Sequence, residues 1–365
     1  MKEKKGLGEI GRREERREGR VRRRIIKGIV MVLVMMVMGC NSGGRDPEKV
    51  FLSEMVNLGK GFLDVFVSFG DMITETLGIK ADTKKSEIGG YFSKIAETMK
   101  EVKVKLGEII EKNGHYPKVK EKVEEFVEKI SKIEEGAKIA ASGATDGASI
   151  GEIVKANAGV SVDATSVNVL VKGIKGIVDL VITEGNGEAD KTSPVEDDKK
   201  NIGKLFGGKT EDAGGAEDKH VAAASASIGA VSGADILKAV AGANADAKKD
   251  GKVNEAVDAA ALALAKGTNA ENEDQIKDSA KKDAIIAAGI ALRAMAKDGK
   301  FIVKNNAASH TEAEGAKGVA ANAVNKVLST LTIAIRNTVD EGLKEINKVL
   351  GEIKQGEGSE TKINE

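Results

Sequence analysis

Residues 91–133 read YFSKIAETMKEVKVKLGEIIEKNGHYPKVKEKVEEFVEKISKI, and two helices are written into them. Ile95, Met99, Val102, Leu106 and Ile109 recur at gaps of three and four, the spacing that stacks side chains on one face of a 3.6-residue helix. Asn113-Gly114 ends that run, and Pro117 opens the next, where a missing N–H costs nothing in the first turn. Val119, Val123, Phe126, Ile130 and Ile133 then resume the stripe. So short a link makes the two helices antiparallel neighbours. Residues 79–90, before the hairpin, read as a loop.

Working outward, Phe51, Met55, Leu58, Phe62, Phe66, Phe69, Ile73 and Leu77 describe one helix over 49–77, stopped by Gly78. Its four phenylalanines are expected to pack on the hairpin. At the far end Val324, Leu328, Leu331, Ile335, Val339, Leu343, Ile346, Leu350 and Ile353 hold a stripe over a long last helix. A lateral or antiparallel pairing of first and last helices follows as the structural expectation. Residues 285–295, IIAAGIALRAM, form a compact apolar helix closed by Asp298-Gly299. Residues 167–182 are apolar enough for one more, although the valines of 167–171 also suit a strand. The Ala-rich stretches 222–248 and 253–266 are helical by propensity but bury little area per residue. Residues 184–219, with Gly185-Asn186-Gly187, Ser193-Pro194 and paired glycines, read as loop with little to bury.

Abundant Ala, Lys and Glu with only 3 Pro support the helical bias. Eight of the ten aromatics lie between residues 51 and 126, so the bulky core is expected at the N-terminal end. The fold class is therefore all-α: an elongated helical bundle with long N- and C-terminal helices packed together and a loop-rich, Ala/Gly-rich middle. One domain spans 49–353, with 49–135 and 281–353 as frame and 136–280 as middle. Residues 354–365 are a polar tail.

The N-terminus carries a different message. Arg22, Arg23, Arg24 and Lys27 lead into residues 28–38, which hold no charged or polar side chain, and then into Gly39-Cys40. Basic, apolar, then small residue is the order of a secretory signal peptide. Eleven apolar residues span only about 16 Å as a helix, against ~30 Å of bilayer hydrocarbon. Cys40 is the chain's single cysteine and stands where the apolar run ends, as in a bacterial lipoprotein box. Residues 1–39 are thus a signal peptide cleaved between Gly39 and Cys40. Cys40 receives S-diacylglycerol and N-acyl groups, and 40–48 form a lipidated tether. Met38 is unusual for the box. A twin-arginine reading of residues 22–27 is weaker, because Val21 stands where Ser or Thr is wanted. Residues 1–39 hold 12 Lys+Arg and 5 Asp+Glu, which leaves 45 basic and 52 acidic groups. That mildly acidic remainder carries no nucleic-acid footprint. With Cys40 lipidated there is no disulfide, and stability must come from packing.

Residues 203–210, GKLFGGKT, match the phosphate-loop pattern literally. The mechanism needs a buried strand before the loop and a helix after it. Charged residues 196–200 precede it and Gly214-Gly215 follows closely, so the match reads as coincidence. His115, His220 and His310 are far apart, without ligand spacing, and read as solvated loop histidines. No catalytic constellation, metal site or cofactor site is expected.

Three long segments resemble the variable major proteins of relapsing-fever Borrelia, specifically the variable large proteins. They are LGKGFLDVFVSFGDM at 58–72, continuing to Gly90-Tyr91-Phe92; KKD through IALRAMAKDGKF at 281–301; and LSTLTIAIRNTVD at 328–340. The second is also similar to a segment of the related cassette-switching surface lipoprotein of Lyme-disease Borrelia. The resemblance implies an elongated all-α lipoprotein on the outer face of the outer membrane, one member expressed at a time, with switching that evades host antibody. It makes 136–280 the variable middle and transfers one site, Cys40. The expected partners are the outer membrane, through the lipid anchor, and host antibodies. The expected function is an outer-surface antigen of antigenic variation, not an enzyme. The alternative is an adhesin or host-component-binding lipoprotein.

Overall fold

The computed structural model describes residues 62–155, 160–193, 196–207, 214–268, 273–305 and 310–352. The leader, Cys40, the tether, the 49–61 part of the first expected helix and the polar tail all lie outside the described residues.

Helix α1 (Leu63–Leu77) buries Val65, Phe69 and Met72, with Phe62 packed just before its start. The Gly78 N–H donates to Glu75 O at 2.9 Å and closes the helix. Helices α2 (Lys85–Asn113) and α3 (Pro117–Gly143) form the hairpin, with Pro117 in the first turn. The helical stripes are those the spacing dictates: Ile95, Met99, Val102 and Leu106 on α2 and Val119, Val123, Ile130 and Ile133 on α3 are fully buried. The helix starts earlier than expected, however. Residues 85–90 are its first turns, not loop, because Gly89 has no Cβ to strike the carbonyl of Ala144.

Helix α4 (Ala164–Val181) lies antiparallel on α3, and Val167–Val171 is helix rather than strand. The two backbones nearly touch. A Cβ on Gly173 would meet Ala140 N and, at 2.6 Å, Gly136 O, so this crossing tolerates only glycine. Asp163 caps α4 by accepting from Ser166 N at 2.7 Å.

The middle is more ordered than its composition suggests. Residues 184–219 contain α5 (Glu196–Asn201) and α6 (Lys204–Gly207), and Ile202, Leu205 and Phe206 are fully buried. Those three residues keep helical spacing for only one turn, among glycines and charges, which is too short a run to read as a helix. The Ala-rich 222–248 stretch is two helices, α7 (Asp218–Ala230) and α8 (Gly233–Ala241), bent by 99°. Ser232 makes the corner: its hydroxyl accepts from Asp235 N at 3.1 Å, while Asp235 accepts from Ser232 N at 2.9 Å, a reciprocal cap that starts a new helix. After a 3₁₀ turn (Val253–Glu255) comes the short α9 (Ala259–Ala263).

Helix α10 (Asp283–Met295) is the centre, with every one of its 13 residues buried. It packs against α4, α7, α8, α9 and α11 (Thr311–Glu352). Small residues here do not bury little; they let the surrounding helices approach one axis. At 42 residues α11 is about 63 Å long. It is apolar and long enough to cross a membrane by composition, yet half of the qualifying window is buried against its neighbours. The pairing of first and last helices is present and antiparallel: Asn325 reaches the Thr76 carbonyl and Thr332 meets Tyr91, whose hydroxyl lies 3.4 Å from Met72 O. Helix α1 packs on both α11 and α2.

Among the described residues two short elements are strands. Strands β1 (Ile153–Lys155) and β2 (Phe301–Val303) pair in parallel, Ile153 opposite Phe301. This two-stranded ladder is a small addition to an all-α fold.

Candidate functional site

Cys40 and Gly39 lie outside the described residues, so the structure positions neither. What it does position is a surface and the polar clamps that hold it. Two buried cations stand out, Lys85 and Arg293, both fully inaccessible to solvent.

Lys85 begins α2, yet its Nζ turns inward and donates to Ser149 O at 3.1 Å, Ala294 O at 3.0 Å and Gly299 O at 2.9 Å. It caps the C-terminus of α10, where a cation is favoured and four carbonyls lack helical partners. Burial lowers its pKa to about 8, against the opposing pull of Asp146 and Glu152. Arg293 does the same for α9. Its Nη1 donates to Ala263 O at 2.9 Å and Ala265 O at 2.8 Å, and its Nε to Lys300 O at 2.6 Å. The guanidinium carbon lies 6.0 Å from the centre of the Phe206 ring. Burial alone pulls its pKa down to about 9.

Two buried carboxylates pin the chain between α4 and α5. Asp283 accepts from Lys191 N, Thr192 N and Thr192 Oγ1, each at 2.7 Å, and pairs with Lys199 at 2.8 Å. Burial pushes its carboxyl up, but the Lys199 and Thr192 bonds outweigh this and hold it at about 2. Asp235 accepts from Asn186 N at 2.7 Å and from Lys191 Nζ at 3.1 Å. Against the cost of its burial, those backbone bonds keep it well below the usual carboxylate range. Residues 183–186, which lead into the clamps, are exposed, as are Glu188, Asp190, Lys191 and Ser193. The result is a preformed polar surface whose backbone is fixed from beneath.

The remaining candidates behave differently from one another. In the phosphate-loop match, Gly203 O accepts from Phe206 N and Gly207 N, so the described turn spends its backbone groups internally. Gly203 also presses on the Asp274 carbonyl, leaving no room for a phosphate there. Residues 208–210 lie outside the described residues. His115 and His310 are exposed, but His220 is not the solvated loop histidine expected: it lies in α7, 1% exposed, and its Nδ1 accepts from Glu217 N at 3.1 Å. The sequence signal for it is position three of a capped helix. Among the described residues no cluster of His, Cys, Asp or Glu can hold a metal ion. An open depression of about 670 Å³ is lined by charges of both signs, among them Lys155, Lys304, Glu217, Asp218 and His310.

Sequence reasoning missed the clamps. Arg293 had a signal, as the one charge inside the apolar run IIAAGIALRAM. Lys85, one of many lysines, had none.

The comparisons with known proteins converge. The family described as Borrelia lipoprotein matches residues 62–350. Variable large protein 17 of Borrelia hermsii is 54% identical over 316 residues, covering 86% of this chain and 88% of its own. Variable large protein 4 of the same organism is 51% identical over 346 residues, covering 92% of this chain and 96% of its own. The crystal structure of the Lyme disease variable surface antigen VlsE of Borrelia burgdorferi matches with a TM-score of 0.66 at 36% identity, covering 83% of this chain and 100% of that one.

Proposed function

The chain belongs to the Borrelia lipoprotein family, among the variable large proteins, and on that premise we propose that it is an outer-surface lipoprotein antigen whose replacement by other members evades host antibody. Cys40 is its anchor. A diacylglycerol plus an amide-linked acyl chain holds far better than the marginal grip of one chain, so attachment is effectively permanent. Its partners are the outer membrane and, at the exposed face, host antibodies.

The observation that carries the reading is the likeness to a variable surface antigen over that antigen's whole length at only 36% identity. A fold that keeps its helices while most residues differ suits a protein selected to change its face. The clamps supply a physical route: Asp235 and Asp283 hold the segment between α4 and α5 through its backbone N–H groups at residues 186, 191 and 192, which every residue but proline supplies. Epitopes are accordingly assigned to residues 183–193, since Ile202, Leu205 and Phe206, farther along the same connection, are buried.

The test is antiserum raised against the folded chain. It should bind cells displaying this chain strongly and cells displaying a half-identical relative weakly, and grafting the relative's residues at 183–193 should reduce binding with the fold intact. Equal binding to both cell types would refute the reading.

A further inference from the structure

Helix α1 is apolar on two sides. One side, with Val65, Phe69 and Met72, is buried in the bundle. The other is open: Leu63 is 49%, Val67 55% and Leu77 73% exposed, and Phe66 and Ile73 are only partly covered. These residues recur at gaps of three and four and share one face. Gly70 lies on the same face, and a Cβ built there meets nothing within 4 Å. Single exposed apolar residues are ordinary, but an aligned row of them on one short helix asks for an occupant.

We propose that this face of α1 docks on the lipid bilayer that carries the chain, seating the helix in the interfacial plane. The inference rests on the reading of Cys40 as the lipid anchor. Two observations select a bilayer over a second copy. The first is area: a 15-residue helix is about 22 Å long and about 10 Å wide, so its outer face covers roughly 200–400 Å². A stable protein interface needs about 800 Å² per partner, whereas a membrane surface accepts a single amphipathic helix. The second is position. Leu63 comes only 23 residues after Cys40, so lipid attachment holds α1 at a high local concentration of membrane. Asp64, Asp71 and Glu75 border the row, and Glu75 pairs with Lys94 at 2.6 Å. The docking is therefore apolar in character and needs no anionic lipid.

The chain has no tryptophan, so one introduced indole is an unambiguous reporter. The mature full-length lipoprotein, as Val67→Trp or as Val257→Trp in the middle segment (54% exposed in the native chain), is reconstituted in neutral phosphatidylcholine vesicles with brominated acyl chains. Val67→Trp should lose at least about half its emission to the brominated chains, with a blue shift, while Val257→Trp keeps its emission. If both reporters behave alike on an acylated chain, docking is overturned. A blue shift of Val67→Trp that follows protein density and ignores bromination also overturns it, assigning the face to a second copy. The mass of the N-terminal peptide from the same sample reports acylation separately. An unacylated Cys40 would remove the anchor on which the proposal rests, and is thereby distinguished from an anchored chain whose α1 stays in water.

Discussion

Acid should loosen this fold through one histidine. His220 accepts a hydrogen bond at Nδ1 from Glu217 N, so its proton sits on Nε2, which has no hydrogen-bond partner in the interior. Protonating Nδ1 would set two donors against each other and bury a charge near Lys204 and Lys219. Burial, aided by those lysines, lowers the His220 pKa from 6.5 to about 4. At about 1.4 kcal/mol per tenfold change in proton affinity, that drop corresponds to roughly 3 kcal/mol. The sign follows from proton counting: between pH 4 and 6.5 the unfolded chain holds the proton and the folded chain does not. Stability from this source is therefore complete above about pH 6.5 and is lost as pH falls toward 4. The informative variant is His220→Gln, because glutamine at the third position of a capped helix still completes the reciprocal cap but does not titrate. Urea unfolding of both chains at pH 7 and pH 4 isolates the effect, since every other titrating group cancels in the difference. The native chain should lose about 3 kcal/mol more than the variant over that interval. Parallel losses would refute the assignment.

Three further perturbations test the packing. Gly173→Ala should destabilise by about 1–3 kcal/mol by forcing α4 off α3, whereas Gly176→Ala, whose nearest atom is the Gly136 Cα at 3.9 Å, should be neutral or stabilising; thermal melts of both variants decide. Lys85→Met leaves three carbonyls without their donor and should cost about 3 kcal/mol by denaturant unfolding at neutral pH. Because the folded pKa of Lys85 lies near 8 and the unfolded one near 10.5, the native chain should also gain stability from that lysine as pH rises between them, a gain the variant lacks. Asp283→Asn removes the charge that pairs buried Lys199 and should cost about 3–5 kcal/mol, with faster amide exchange at Lys191 and Thr192 measured by mass spectrometry.

The helices with dense apolar stripes were legible because their spacing alone decides which face is buried. Ile95 to Ile109 and Val324 to Ile346 needed no partner to be placed on a helix. Residues 184–219 were not legible, since the core role of Ile202, Leu205 and Phe206 depends on elements remote in sequence: α6 packs on β2, and Phe206 lies against Gly289 of α10. The break between α7 and α8 was written locally, in Ser232 and Asp235, but an Ala-rich background hides a cap in the middle of helix-favouring residues. The start of α2 was hidden for the opposite reason: Gly89-Gly90 signals a break, and only the approach of Ala144 explains glycine inside a helix. Of the surface, the exposed stretch after α4 could be read from its composition, whereas the carboxylates that pin it could not. A buried aspartate and a solvated one look the same until the backbone N–H groups around them are placed.

The central claim is that the chain stands on the outer surface, held by lipid on Cys40, and one measurement meets it directly. Intact cells are treated with protease, and the membrane-retained N-terminal fragment is analysed by mass spectrometry. The account predicts loss of the full-length chain from whole cells and a retained peptide that begins at Cys40 and carries diacylglycerol and an N-acyl chain. Protection until the outer membrane is breached, or an unmodified N-terminus, would contradict it.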